Sequence, residues 1–252
     1  HSTINPVRDV ETVDLEMMAS DVATLQNKLE RIGKKARSGE KDAVRELSHC
    51  QKVLAGIQDG VPARRQNLTA QEMASVKECN LVSAKATLYI ANIKTANDAN
   101  NKHVQALKQL AEKEGAETIV VRGKDEADIS ELEPEDRKIF LKELGIDKSA
   151  MELLLQAAYR KLGLINFFTT GEDEVRAWTC RRGDKAPVAA GKIHSDMEAG
   201  FIRMEVMKYT DLIDIGSEAA AIKAGKQHLE GREYEVQDGD IVMVLFNARG
   251  GR

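Results

Sequence analysis

ATLYIA at residues 86–91 and TIVV at residues 118–121 are the two apolar runs that decide how the centre of this chain folds. Between them, Val104, Leu107 and Leu110 recur at the spacing of one face of a helix. Parallel strands need a crossover connection of about a dozen or more residues, and such connections are right-handed. The order strand, helix, strand therefore predicts one right-handed βαβ unit with parallel strands.

The predicted βαβ unit is too small to be a complete domain. A parallel sheet needs cover on both faces, and a single crossover helix covers only one. Two more helices are predicted at about 134–144 and 149–162, with Gly145 between them as the stop signal. We therefore expect residues 86–162 to be part of an α/β domain, and their uncovered strands to favour self-association through this region.

The region before the βαβ unit has the pattern of a helical arm. Apolar residues from Val10 to Ile32 follow the helical period along a narrow, coiled-coil-like seam. Gly33 and the basic stretch after it are predicted to end this helix, and a second helix begins at about Glu40. The prediction is an antiparallel helical hairpin joined by a basic turn. Further on, Thr69 followed by Glu72 predicts a capping box at the start of a short helix.

Residues beyond Gly163 show short, mixed patterns that predict a compact α+β module. Asp238-Gly239-Asp240 has the composition of a tight turn and predicts a hairpin that pairs residues 234–236 with 241–246. The other predicted elements are strands at 174–180 and 201–209 and helices at about 190–198 and 218–225.

Composition excludes several classes of protein. A net charge of −4 and a pI near 5.9 argue against DNA binding or any whole-surface nucleic-acid contact, so an RNA contact must be local. Cys50, Cys79 and Cys180 have no zinc-ligand or disulfide spacing, which favours a reducing cytoplasm. No apolar run is long enough for a membrane span. No catalytic or metal-ligating set is predicted.

Several ordered segments resemble one known family. NFFTTG at 166–171, EVRAW at 174–178, AAGKIHSD at 189–196 and VQDGD at 236–240 closely resemble the C-terminal TGS domain of the YchF/Obg-like ATPases. The helical pair looks like that family's coiled-coil insertion, and residues 85–126 look like the last third of its G domain. The implied fold class is α+β and multi-domain. The implied domains are a helical arm (8–82), a partial P-loop-type G domain lacking its N-terminal strands (83–165) and a β-grasp TGS domain (166–252).

The resemblance implies a ribosome-associated, nucleotide-dependent ATPase that regulates translation or stress response. A P-loop needs G-x-x-x-x-G-K-[ST] to surround the phosphates, and this sequence contains no such segment. We therefore expect the chain to be the C-terminal two-thirds of such a protein, without hydrolysis or tight binding of ATP and Mg²⁺ by this chain alone. Two other interpretations stay open: a stand-alone TGS-type binding adaptor without nucleotide function, and a purely structural helical scaffold.

Asn92 is the candidate base-recognition residue. It follows the first strand of the βαβ unit, and ligands of α/β sheets bind outside the carboxyl ends of strands. The resemblance implies that Asn92 orients the base and that the Ile93 backbone contacts adenine. Thr95 replaces the glutamate of the family's Asn-x-x-Glu, and its hydroxyl cannot copy a carboxylate's two bonds to guanine, so ATP is favoured over GTP. Gly123 lies in a flanking loop that also departs from the family.

Basic residues give a second candidate site. Lys34, Lys35 and Arg37 at the predicted hairpin tip are candidate contacts to ribosomal RNA phosphates, and the competing interpretation is an ordinary solvated turn. Arg64 and Arg65 are predicted to form surface or interdomain salt bridges rather than an RNA site.

Overall fold

The computed structural model describes residues 3–146, 148–171 and 174–247, and it divides into two compact units after Ala157. Residues 248–252 of the predicted TGS domain lie outside the described residues. The helices are α1 (Pro6–Arg37), α2 (Lys41–Gln58), α3 (Ala70–Val76), α4 (Lys102–Lys113), α5 (Gly123–Ser130), α6 (Pro134–Glu143), α7 (Ala150–Leu162), α8 (Ala186–Ile193), α9 (Ser195–Ala199), α10 (Tyr209–Ile215) and α11 (Glu218–Lys223). The strands are β1 (Leu88–Asn92), β2 (Glu117–Val121), β3 (Leu164–Thr170), β4 (Val175–Arg181), β5 (Phe201–Lys208), β6 (His228–Glu230) and β7 (Asp240–Phe246).

Helices α1 and α2 form the predicted antiparallel hairpin. Leu25 of α1 and Cys50 and Val53 of α2 are fully buried in its seam. Helix α1 ends within the predicted stretch 33–39, but it continues through Gly33 to Arg37 before the chain turns at Gly39, where φ is +83°. A glycine inside a helix costs about 1 kcal/mol, which the packing of α1 on α2 offsets. The basic residues therefore lie in the last helical turn and not in a loop.

Two polar contacts fix the segment that follows the hairpin. The predicted capping box of α3 is confirmed, since Thr69 Oγ1 accepts from the Glu72 amide and Glu72 accepts from the Thr69 amide. The hydrogen bond from Lys52, with the cap itself, lowers the pKa of Glu72 to about 2. Asp21 is 2% exposed and accepts from the amides of Val82 and Ser83, both at 2.8 Å. This contact ties α1 to the start of the βαβ unit.

The predicted parallel βαβ unit is present in the N-terminal unit. Strand β1 pairs in parallel with β2, from Leu88 opposite Glu117 to Asn92 opposite Val121. Helix α4 buries Val104 and Leu107 against Tyr89 and Ala91 of β1. In the described part of the chain, β1 pairs with β2 alone. The two predicted helices after β2 correspond to α6 and α7, while α5 was not predicted.

The C-terminal unit is built on a five-stranded mixed sheet in the order β4-β3-β7-β5-β6. One face packs against α8, with Phe167, Met204 and Val242 in the core. On the other face, Met207 and Ile241 pack with α10 and α11. None of the helices in the described residues combines the length and apolarity that crossing a bilayer requires.

The predicted hairpin between 234–236 and 241–246 is wrong. Strand β7 pairs antiparallel with β5 and parallel with β3, and Glu235 makes only an isolated bridge to Lys185. The turn at Gly239 is real, with φ of +81°, but its amide donates to the Asn166 carbonyl of β3 at 2.8 Å. This contact directs the chain into the centre of the sheet. Strand β3 was not predicted as a strand.

Candidate functional site

Asn92 and Gly123 meet at the carboxyl edge of the β1–β2 pair. Asn92 is the last residue of β1, and its Oδ1 accepts from the Gly123 amide at 3.0 Å. The Ile93 amide donates to the Val121 carbonyl at 2.9 Å, which continues the ladder by one residue. Three of the predicted base-site residues are thus brought together at the edge where α/β sheets bind ligands.

The contact with Asn92 explains the glycine at position 123. A Cβ on Gly123 would lie 3.1 Å from Asn92 Oδ1, which is tighter than ordinary van der Waals contact, and 3.4 Å from its Nδ2. The carbonyl end of the Asn92 side chain is therefore occupied by the protein backbone. Asn92 is exposed, and its side-chain amide nitrogen makes no hydrogen bond to another residue that the structure describes.

Thr95 is hydrogen-bonded to Asp98, a residue that was not among the predicted site residues. The Thr95 hydroxyl and amide both donate to Asp98 Oδ2, at 2.8 and 3.0 Å. The carboxylate near the site is thus supplied three residues after Thr95. The Thr-x-x-Asp spacing, which resembles a capping box, is the signal that could have identified Asp98.

Asp98 lines a cavity of about 510 Å³ beside β1. That volume is within the about 300–1,000 Å³ typical of small-molecule sites. The described residues contain no group of three or more His, Cys, Asp or Glu side chains able to hold a metal ion. The residues that line the cavity around the strand end include Asn92, Ile93, Lys94, Asp98, Asn101 and His103.

The candidate RNA-binding residues form an exposed cluster at the end of α1. Lys34, Lys35 and Arg37 are all exposed, and Arg37 Nε donates to the Gly33 carbonyl at 3.1 Å. Within the described residues, none of the three is in ion-pair contact with a carboxylate, although Asp42 is close in sequence and pairs with Arg45. Cations in the last turn of a helix are favoured by its dipole, so the cluster is compatible with the helix and free to bind an anion.

Arg64 and Arg65 form a partly buried ion-pair network with carboxylates of α1 and of the residue after α4. Arg64 donates to both oxygens of Asp14, at 2.7 and 2.6 Å, and Arg65 donates to Asp14 at 3.1 Å and to Glu114. The Tyr89 hydroxyl donates to Glu114 at 2.8 Å. Burial alone lowers the pKa of Arg64, but its bonds to Asp14 raise it overall. The predicted salt bridges are confirmed, and they join the arm to α4 and β1.

Comparison with known proteins gives consistent matches along the chain. Residues 164–247 match the family model YchF-GTPase_C, described as a protein of unknown function (DUF933). The chain is 43% identical over 247 residues to the ribosome-binding ATPase YchF of Bacillus subtilis, covering 97% of this chain and 68% of that protein. It is 36% identical over 253 residues to Obg-like ATPase 1 of Oryza sativa, covering 99% of this chain and 64% of the relative.

A solved structure shows the same fold. The structure of the Schizosaccharomyces pombe YchF GTPase matches with a TM-score of 0.84 at 31% identity, covering 97% of this chain and 67% of that one. The resemblance inferred from the sequence motifs is therefore confirmed, and this chain spans about two thirds of the length of the relatives it matches. The chain belongs to the YchF family of Obg-like ATPases.

Proposed function

We propose that this chain supplies the ribosome-binding and base-recognising parts of a ribosome-associated ATPase that regulates translation or stress response in the cytoplasm. The observation that carries the proposal is the exposed basic cluster of Lys34, Lys35 and Arg37 at the end of a 32-residue helix. At about 1.5 Å per residue, this helix is roughly 48 Å long, which is enough to reach into a large particle. Relatives with this arm are named ribosome-binding ATPases.

In this proposal, the three parts of the chain are the three domains predicted from the sequence. Residues 8–82 form the arm, residues 83–165 the end of a G domain, and residues 166–252 a TGS domain of β-grasp type. The parallel β1–β2 pair and the mixed sheet around β7 support the last two assignments. Self-association through residues 86–162 stays a prediction, supported by Ile90, which is 50% exposed on β1. A stand-alone adaptor is not favoured, because the match to ATPases covers 97% of the chain.

The ribosome contact is tested by co-sedimentation of this chain with purified ribosomal particles at low and moderate salt. We expect binding that weakens with salt, because Lys and Arg contacts to phosphates release counterions. The triple variant Lys34→Glu/Lys35→Glu/Arg37→Glu is expected to bind about tenfold or more weakly, since each reversal replaces attraction to phosphate by repulsion.

A second triple variant controls for net charge. Lys138→Glu/Lys142→Glu/Lys223→Glu makes the same change in charge at exposed positions on α6 and α11. This control should sediment with ribosomes like the parent chain. If both variants bound ribosomes equally weakly, or if the tip variant bound like the parent chain, the arm tip would not be the ribosome contact.

We also propose adenine as the base that binds beside Asn92. The exposed amide nitrogen of Asn92 and the backbone around Ile93 supply donors and acceptors to a purine edge. Guanine recognition of the Asn-Lys-x-Asp type needs a carboxylate that accepts from the imino and amino groups. Here the Asp98 oxygen nearest the motif already accepts two bonds from Thr95. Guanine would therefore lose at least one hydrogen bond.

The base preference is measured by NMR titration of this chain with ATP and with GTP. We expect weak binding, with shifts of the Ile93 and Gly123 amides and a half-saturation concentration about tenfold lower for ATP, the equivalent of roughly one hydrogen bond. Gly123→Ala should reduce these shifts by displacing Asn92. Gly231→Ala is the matched control, because a Cβ there meets open space. Equal responses to ATP and GTP would refute the adenine assignment.

A further inference from the structure

An apolar groove lies between α3 and the segment that follows it, residues 77–85. The groove has a volume of about 550 Å³ and is mostly apolar. Ala70, Met73, Ala74 and Lys77 line one wall, and this 0, 3, 4, 7 spacing is one face of a helix. Met73 is 40% exposed in the groove. Alanine side chains allow close approach, and methionine adapts to different apolar partners, so the wall suits an inserted apolar side chain.

The opposite wall is formed by the chain that leaves α3 towards β1. Leu81 is 3% exposed and lies at the buried side of the groove, and Lys85 is exposed at its end. The buried polar contacts of Asp21 with Val82 and Ser83 hold this wall in place. The groove is thus bounded on both sides by backbone that the core fixes, and it is present before any ligand binds.

The charged residues that line the groove are both lysines. Lys77 and Lys85 are exposed, and neither is in ion-pair contact with a carboxylate within the described residues. Neither of the two nearby glutamates lines the groove: Glu72 pairs with Lys52 of α2 at 2.6 Å, and Glu78, which is exposed, lies 3.7 Å from Lys28 of α1. An apolar groove with two lysines and no carboxylate among its lining residues is complementary to an apolar segment flanked by acidic residues.

We propose that this groove docks a short segment of a partner protein that carries two or three apolar side chains flanked by aspartate or glutamate. The apolar side chains would cover Met73, Ala70 and Ala74, which are exposed, and the flanking carboxylates would pair with Lys77 and Lys85. Grooves of this kind take peptides by burying a few anchor residues. This contact is separate from the basic cluster at the end of α1, so it is independent of the proposed ribosome contact.

The test is selection of peptides from a random 12-residue library displayed on phage against the intact chain. Enriched peptides should combine Leu, Ile, Phe or Met with Asp or Glu. A synthetic copy of the most enriched peptide, measured by fluorescence anisotropy, should bind Lys77→Glu/Lys85→Glu at least about tenfold more weakly, because like charges oppose docking. The matched control Lys138→Glu/Lys142→Glu has the same net charge and should bind like the parent chain.

Three outcomes would overturn the proposal. They are a library with no enriched peptide, enriched peptides without acidic residues, and equal binding to the lysine variant and its control. Met73→Glu provides an independent check, because it places an acid in the groove and should abolish peptide binding while thermal unfolding and ribosome co-sedimentation stay unchanged. Concentration-dependent dimerisation that Met73→Glu removes would assign the groove to a second copy of the chain instead.

Discussion

Replacing Asp240 with alanine is expected to destabilise the C-terminal unit, residues 158–247, by about 4 kcal/mol. Asp240 is fully buried and accepts from the Tyr234 hydroxyl at 2.7 Å, the Lys208 ammonium at 2.5 Å and the Gln237 amide at 2.8 Å. Burial, with the bond to Asp240, raises the pKa of Tyr234, so this hydroxyl stays protonated and donates. The substitution removes the buried acceptor that these three donors share, and with it the contact that fixes the start of β7.

The loss of stability is measured by urea unfolding followed by Trp178 fluorescence. The chain contains one tryptophan, on β4, so this signal reports the C-terminal unit. Asp238→Ala is the control: Asp238 is exposed and, within the part of the chain that the structure describes, accepts the Asn166 amide alone, at 2.9 Å, so its loss should cost about 1 kcal/mol. Similar unfolding curves for the two variants would show that the buried network around Asp240 contributes little.

Asp14→Ala is expected to destabilise the N-terminal unit by about 3 kcal/mol. Asp14 is 5% exposed, and its removal leaves the Arg64 guanidinium largely buried and without its shortest ion pair. Breaking one side of a buried pair costs about 3–5 kcal/mol. The expected effect is at the lower end because Glu114 still accepts from Arg64 at 3.3 Å and from Arg65.

Helix content measured by far-UV circular dichroism during urea unfolding reports this change, since the long helices α1 and α2 lie in the N-terminal unit. Asp9→Ala is the matched control on the same helix, because Asp9 pairs with Arg8 at an exposed position and such pairs contribute about 0–1 kcal/mol. If Asp14→Ala unfolded like Asp9→Ala, the network would not be what holds the arm to β1 and α4.

Sequence patterns correctly predicted those structural elements whose spacing of apolar or capping residues can be read within one continuous stretch of the chain. The βαβ unit, the helical hairpin and the capping box at Thr69 depend on spacing over a few residues, and all three are present. The errors came from contacts distant in sequence. The basic residues of the predicted turn lie in α1, which packs on α2. Strand β7 pairs with β3 and β5 and not with the nearby segment at Tyr234.

The same limit applies to the candidate sites. Asn92 was predicted because strand ends are visible in the sequence, and Gly123 because it departs from a family motif. The hydrogen bond between them, and the pairing of Thr95 with Asp98, needed the folded chain. Arg64 and Arg65 were assigned to salt bridges correctly, but their partners Asp14 and Glu114 are each about 50 residues away, beyond any local pattern.

The position of β7 has a consequence for synthesis of the protein. It is the central strand of the five-stranded sheet, yet in the chain it follows the other four strands. Strands β3 and β5 cannot close over Phe167 and Met204 until β7 has left the ribosomal exit tunnel. Sheets that depend on such distant pairing fold slowly. During synthesis, the C-terminal unit therefore keeps the apolar faces of its first strands exposed until β7 emerges.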